Sequence, residues 1–277
     1  SSYTVGASEN FFVKQVIEGF NVADLMWGTA NAQTVTLSFQ VRSSLTGTFG
    51  GSLWNSDGTR SYPFTYTISS ANTYETKTVT IAGDTSGTWL TTNGAGINVG
   101  FGLGVGSSLS GTAGAWAGAF YPSATGATSV VGTNGATFYI TGVQLEIGTA
   151  ATPFEYRNYQ QELAMAQRYY AKTFSQGTAP ADNVTTTGAL RGTARLINAS
   201  SQIEPAANWK FPVTMRTNPT VTLYSSGTGT TGSGSGTGTA AGAAGLAALA
   251  GLVGGGSGTG AALNLANQNS GITNLTP

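Results

Sequence analysis

From Phe11 to Arg157, apolar and polar side chains alternate in short runs separated by turn residues. A period of two places one face of an extended segment in a core and the other in solvent. The clearest run has Val35, Leu37, Phe39 and Val41 alternating with Thr34, Thr36, Ser38, Gln40 and Arg42. Residues 62–68 and 76–81 repeat the pattern. Between the runs lie Asn55-Ser56-Asp57-Gly58 and the stretch from Ala82 to Gly87, whose Asp and Gly suit tight turns. From Ile97 to Val105 apolar residues alternate with Asn98, Gly100, Gly102 and Gly104, and the glycines on that face predict close approach of another backbone or sheet. A closing strand follows over 137–146. Eight or so strands at this spacing predict an all-β fold, a two-sheet sandwich and most simply a jelly roll.

After Pro153-Phe154-Glu155 the period becomes helical. Asn158 can cap and Gln161 can answer it in a capping box. Tyr159, Leu163, Ala166, Tyr170 and Phe174 then form one apolar stripe over roughly four turns. This stripe packs either on a neighbouring domain or on a second subunit, which makes Tyr159, Leu163, Tyr170 and Phe174 the candidate oligomer-interface residues. A second β-like stretch runs from Ala189 to Leu223, with runs at 190–197 and 209–213 and a strand by composition at Thr220–Tyr224. The predicted organisation is a jelly-roll sandwich over 1–156, a connecting helix over 157–175 and a smaller distal β-rich region over 176–277.

From Thr217 to Pro277 the chain carries no charge, and from Ser225 to Gly260 it is almost wholly Gly, Ser, Thr and Ala. Only Leu246, Leu249, Leu252 and Val253 could anchor a core there. Three readings stay open: a flexible segment, a tightly packed fibre or sheet stack that admits only small side chains, or small residues standing in for unassigned ones.

Composition removes whole classes of chemistry. The 277 residues hold 11 basic and 11 acidic side chains, 41 glycines, no cysteine and no histidine. Disulfides, thiolate nucleophiles, zinc-thiolate sites and Ser-His-Asp or Cys-His catalysis are thereby excluded. Zero net charge and a pI near 6.2 argue against a grip on nucleic acid, which needs clustered Lys and Arg. No run of apolar residues is long enough to suggest a membrane span, and Ser1 begins without a signal-like segment. The missing initiator Met is consistent with processing or with a fragment of a longer chain. Stretches such as Gly100-Phe101-Gly102-Leu103-Gly104 lack the ending and the strand-to-helix context of a phosphate loop.

One set of motifs is specific. Gly142-Val143-Gln144-Leu145-Glu146-Ile147-Gly148 precedes Ala151-Thr152-Pro153-Phe154-Glu155, and Glu162 to Gln167-Arg168-Tyr169-Tyr170 follows. This order closely resembles the tail-fibre and minor structural proteins of tailed bacteriophages, as do the segments 23–32, 41–51, 84–90 and 111–116. The resemblance covers about residues 16 to 224. It implies a sandwich closed by the Gln-Leu-Glu strand, an elbow, a short helix and a distal β domain. Ala166 stands where that family commonly has Cys, and Arg157-Asn158 where it often has Arg-Pro; the distal part matches only through Phe211 to Arg216 and the next strand. More loosely, the first domain is similar to jelly-roll carbohydrate-binding modules. Those often carry a calcium-ligating Asp in the final strand, but Thr141-Gly142 stand here, so no metal or cofactor is expected.

Sugar recognition needs an aromatic platform for the apolar face of a pyranose with amide or carboxylate groups nearby for its hydroxyls. Trp54 with Asn55, Asp57 and Arg60 in one turn, and Trp116 with Tyr121 in a Gly/Ala-rich loop, are the glycan-binding candidates. Trp54 reads equally as core, and Trp116 as exposed or interfacial; Trp27 and Trp89 read as core. Hydrolysis would need two flanking carboxylates. Of the eight acids before Tyr156, none forms a recognisable pair: Asp57 and Asp84 read as turn residues, Glu146 and Glu155 as structural. The expectation is a non-enzymatic phage virion protein, a tail fibre binding host-surface polysaccharide, a homotrimer by resemblance and associated with other tail or fibre proteins. The alternatives are a purely structural capsid or tail decoration and a polysaccharide depolymerase.

Overall fold

The computed structural model describes residues 1–181, 188, 195–196, 203–204, 210–222 and 275–276. The chain divides into two compact units, Ser1–Tyr156 and Arg157–Pro277. The first is built from β1 (Asn10–Glu18), β2 (Val35–Ser43), β3 (Gly47–Trp54), β4 (Ser61–Ile68), β5 (Glu75–Ile81), β6 (Ala95–Val105), the short pair β7 (Ser110–Gly111) and β8 (Ser123–Ala124), and β9 (Phe138–Ile147). One antiparallel sheet has the order β1-β6-β3-β4 and the other β5-β2-β9.

The alternation in β2 does what its period requires: Val35, Leu37, Phe39 and Val41 all lie in the core. The Phe39 ring reaches across to the facing sheet and meets Phe101 of β6 at 4.9 Å and Tyr66 of β4 at 5.0 Å, both edge-to-face. Such offset geometries suit the ring quadrupole and knit the two layers. The unit is therefore an all-β sandwich. Its long strands divide four and three, not into the two four-stranded sheets of an eight-strand jelly roll, so that finer connectivity stays an expectation.

The glycine face of β6 is met by side chains, one of them from the short strand β8. The Trp54 ring lies on Gly100, Ser123 on Gly102, and Ser129 with Val131 on Gly104. The loop carrying these residues also runs along the free edge of β4. Ser61 and Ala117 exchange backbone hydrogen bonds of 3.1 and 2.8 Å, and Gly114 donates to the Pro63 carbonyl at 2.9 Å. An edge strand is thus covered instead of being left as a template for aggregation.

In β9 the register slips by one residue between the partners of Ser38 and Gln40. Gly142 sits there with φ 57°, a left-handed conformation that costs glycine little. The slip changes the phase of the strand. Ile140 and Leu145 both pack against the core although five residues separate them, and Gln144 and Glu146 are freed for the outer face.

In the second unit, α1 spans Tyr159–Gln167. The Asn158 carboxamide oxygen accepts from the Gln161 N–H at 3.0 Å, as the predicted cap requires. The helix is shorter than the stripe predicted. It ends at Gln167, and Tyr170 and Phe174 lie beyond it: the Arg168 carbonyl accepts from the Arg216 N–H at 2.9 Å, and Phe174 is 7% exposed, its ring against Gly188. Short antiparallel pairs join β10 (Arg195–Leu196) to β11 (Ile203–Glu204) and β12 (Thr220–Val221) to β13 (Leu275–Thr276). Trp209, the remainder of the predicted runs and the Gly/Ser/Thr/Ala segment with its leucines lie outside the described residues.

Candidate functional site

Of the six predicted sugar contacts, Trp54 and Asn55 are buried, Arg60, Trp116 and Tyr121 half-buried, and Asp57 exposed. Trp54, the last residue of β3, points outward from its sheet yet is only 4% exposed. Phe12 and Phe120 meet its ring edge-on, each at 5.5 Å, and Gly100 closes its other side. A ring so covered has no face to offer a pyranose. Asn55 is a buried hub: its carboxamide donates to Thr59 Oγ1 at 3.0 Å and the Thr88 carbonyl at 3.1 Å, and accepts from the Arg60 N–H at 3.0 Å. Asp57 accepts from the Thr59 hydroxyl at 2.9 Å, which lowers its pKa and stabilises the turn as expected.

Arg60 is consumed by a partner far along the chain. Its Nε and Nη2 donate to the two Asp84 oxygens at 2.7 Å each, which holds the guanidinium all the more firmly protonated. Asp84 also accepts from the Ser86 N–H at 3.1 Å, so it is both a turn residue and half of a nearly buried ion pair. Sequence reasoning missed this pairing because nothing local joins residues 24 apart.

Trp116, read as exposed or interfacial, is half-buried and belongs to a tryptophan trio. Its ring lies 5.3 Å from Trp27 and 5.5 Å from Trp89, those two are 4.8 Å apart, and Tyr62 adds an edge at 5.2 Å. Its indole N–H donates to the Ala82 carbonyl at 2.7 Å, and those of Trp27 and Trp89 likewise reach backbone carbonyls. Trp27 and Trp89 are core-packed, as expected. Tyr121 is half-buried against Gly111.

The surface left open lies on the outer face of the three-stranded sheet. Register aligns Thr76 of β5, Gln40 of β2 and Thr141 of β9 in one row. The next row is Tyr74, Arg42 and Tyr139, with the Arg42 guanidinium 4.5 Å from the Tyr139 ring centroid and 5.5 Å from that of Tyr74. On the other side of Gln40 a groove of about 310 Å³ runs between Ser38, Thr141 and the segment Ala151–Tyr156. Phe154 and Tyr156 form its wall, their rings 5.1 Å apart, and Tyr156 is 89% exposed. The face is polar in its floor and aromatic along its rim. The alternation of β2 already placed Gln40 and Arg42 outward; only the pairing of β5 and β9 on either side assembles the rest.

That segment is held down by the motif that ends the sandwich. Glu146 accepts from the Thr152 N–H and the Thr152 hydroxyl, each at 2.6 Å, and Gln144 Oε1 accepts from the Glu155 N–H at 2.9 Å. These hydrogen bonds lower the Glu146 pKa. Glu9, Asp57 and Glu75 are lowered as well, each by hydrogen bonds to its ionised form. That direction is opposite to the raised pKa a general acid needs. Among the described residues no cluster of three or more His, Cys, Asp or Glu could hold a metal, and no helix is long and apolar enough to cross a membrane.

No family model, curated protein or solved structure matches the chain.

Proposed function

We propose that the chain is a virion structural protein of a tailed bacteriophage, part of a tail fibre, that adsorbs to host-surface glycans without cleaving them. The fibre assignment is supported by the resemblance of the Gln144-Leu145-Glu146 and Thr152-Pro153-Phe154-Glu155 motifs, which in this fold latch the chain leaving the last strand. The observation that carries the glycan assignment is the open face of β5, β2 and β9. Its hydroxyls and amide suit sugar hydroxyls, and its exposed tyrosines suit the apolar side of a pyranose. The site thus moves away from Trp54 and Trp116, which are occupied by packing.

Assembly as a homotrimer with other tail or fibre proteins rests on the resemblance. Weak sugar sites gain from it, because linked copies rebind at high effective concentration and raise avidity by about 10² to 10⁴. Of the predicted interface residues, Tyr159 is exposed and Leu163 half-buried on α1, Tyr170 is exposed beyond the helix, and the buried Phe174 is taken up by its own unit.

The test incubates the purified protein with surface polysaccharide from infected hosts and measures retained protein and new reducing ends together. Retention without new ends is the expected result. New ends would establish a depolymerase. Neither signal would favour a second reading, a purely structural capsid or tail decoration, to which the burial of Trp54 and Asn55 lends support.

A further inference from the structure

Resting on the glycan-binding reading above, we infer that the outer face of the three-stranded sheet selects a carboxylate-bearing pyranose, and that Arg42 is the residue that reads the acid.

Residues 1–156 contain four basic side chains, Lys14, Arg42, Arg60 and Lys77. Three have acceptors: Lys14 donates to Asn98 Oδ1 at 3.4 Å, Arg60 to Asp84, and Lys77 to Glu75 at 2.6 Å. Arg42 differs. Its Nε is buried with no hydrogen-bond partner, and the ion pairs among the described residues do not include it. Its two Nη groups make no hydrogen bond with the described residues and, unlike the enclosed Nε, are not buried, so they are the ones an acceptor supplied from outside can reach.

The surroundings fix how that acceptor is met. Tyr139 and Tyr74 hold the guanidinium by cation–π contact, which supports the charge without using its N–H groups. A planar guanidinium presents a fork that matches a carboxylate through two parallel hydrogen bonds. Glu75, the acid on the adjoining strand, does not compete for it, being held by the Ser69 and Ser70 N–H groups and by Lys77. Arg42 stands two residues from Gln40, which at about 3.3 Å per residue puts the acid site about 7 Å along the strand from the Thr76-Gln40-Thr141 row. One acidic sugar over Arg42 thereby leaves its neighbour above Gln40, with Tyr156 and Phe154 beyond.

The experiment uses the full chain and acidic oligosaccharides from bacterial capsules and O-antigens, each paired with its carboxyl-reduced, neutral counterpart. Binding is measured for the wild type, Arg42→Gln, Arg42→Lys and Tyr156→Ala, with melting temperatures as a folding control. The expected result is at least about tenfold tighter binding of the acidic partner by the wild type, in line with a charged hydrogen-bonded pair. Arg42→Gln should erase this preference, Arg42→Lys should keep part of it, and the exposed Tyr156→Ala should weaken acidic and neutral partners alike. Equal binding of both partners, or a preference that survives Arg42→Gln, overturns this inference while leaving glycan adsorption standing. Binding of neither partner overturns both.

Discussion

Arg60 and Asp84 face each other through two hydrogen bonds of 2.7 Å, Nε to Oδ2 and Nη2 to Oδ1, with the Asp84 side chain only 2% exposed. The pair ties the turn after β3 to the turn after β5. Removing one member strands the other, and the stranded charge is where the cost lies.

Asp84→Ala should therefore destabilise the protein by about 3 kcal/mol, most of it from the unpaired guanidinium. Chemical denaturation of wild type and variant measures it. A loss below about 1 kcal/mol would mean that Arg60 swings out to water and pairs there as well.

Tyr66 makes the opposite case. Its ring packs among Phe39, Phe49 and Phe64, its hydroxyl is buried with no hydrogen-bond partner, and burial pushes its pKa up. Tyr66→Phe removes the unsatisfied group and keeps the ring, so it should stabilise the fold by about 1 kcal/mol. Equilibrium unfolding that shows the variant less stable would establish that the hydroxyl has an acceptor in solution.

Gly100 lies under the Trp54 ring, and a Cβ there would run into it. Gly100→Ala should cost about 1–3 kcal/mol through overpacking and should release Trp54 from its cover. A red-shifted, more readily quenched tryptophan fluorescence would report the second effect, and an unchanged spectrum would mean that the strand moves instead.

The latch on Glu146 gives a pH dependence with a definite sign. Its pKa is lowered in the folded protein from the ordinary 4.5, so its contribution is fully present above 4.5 and is lost as pH falls through the folded value. Melting temperature should decline on acidification below 4.5, and Glu146→Gln should melt lower at neutral pH with a shallower acid decline. Parallel curves for both proteins would show that Glu146 does not couple to folding.

The alternation in β2, the turn at Asn55–Gly58 and the cap at Asn158 were legible in the sequence because each depends on neighbours within a few residues. Backbone pleat, turn hydrogen bonds and the first helical turn are local physics. Phe39 had to face a core, and Gln40 and Arg42 had to face away from it. The absence of cysteine and histidine likewise decided, from composition alone, which chemistry could not occur.

What tertiary structure decided was which of those outward positions stay open. Trp54 looked available because it ends a strand beside a polar turn, but Phe12 and Phe120, distant in sequence, fold over it. Trp116 sits in a loop of small residues and is still drawn into contact with Trp27 and Trp89. The stripe through Tyr170 and Phe174 keeps a helical period in the sequence, but the helix stops at Gln167 and the Arg168 carbonyl is met by the distant Arg216 N–H. In the same way, Tyr139 and Tyr74 flank Arg42 only because β9 and β5 pair on either side of β2. Local sequence sets which way a side chain points from its own strand; only the register between strands, and the loop or segment that lies over them, sets what it meets there.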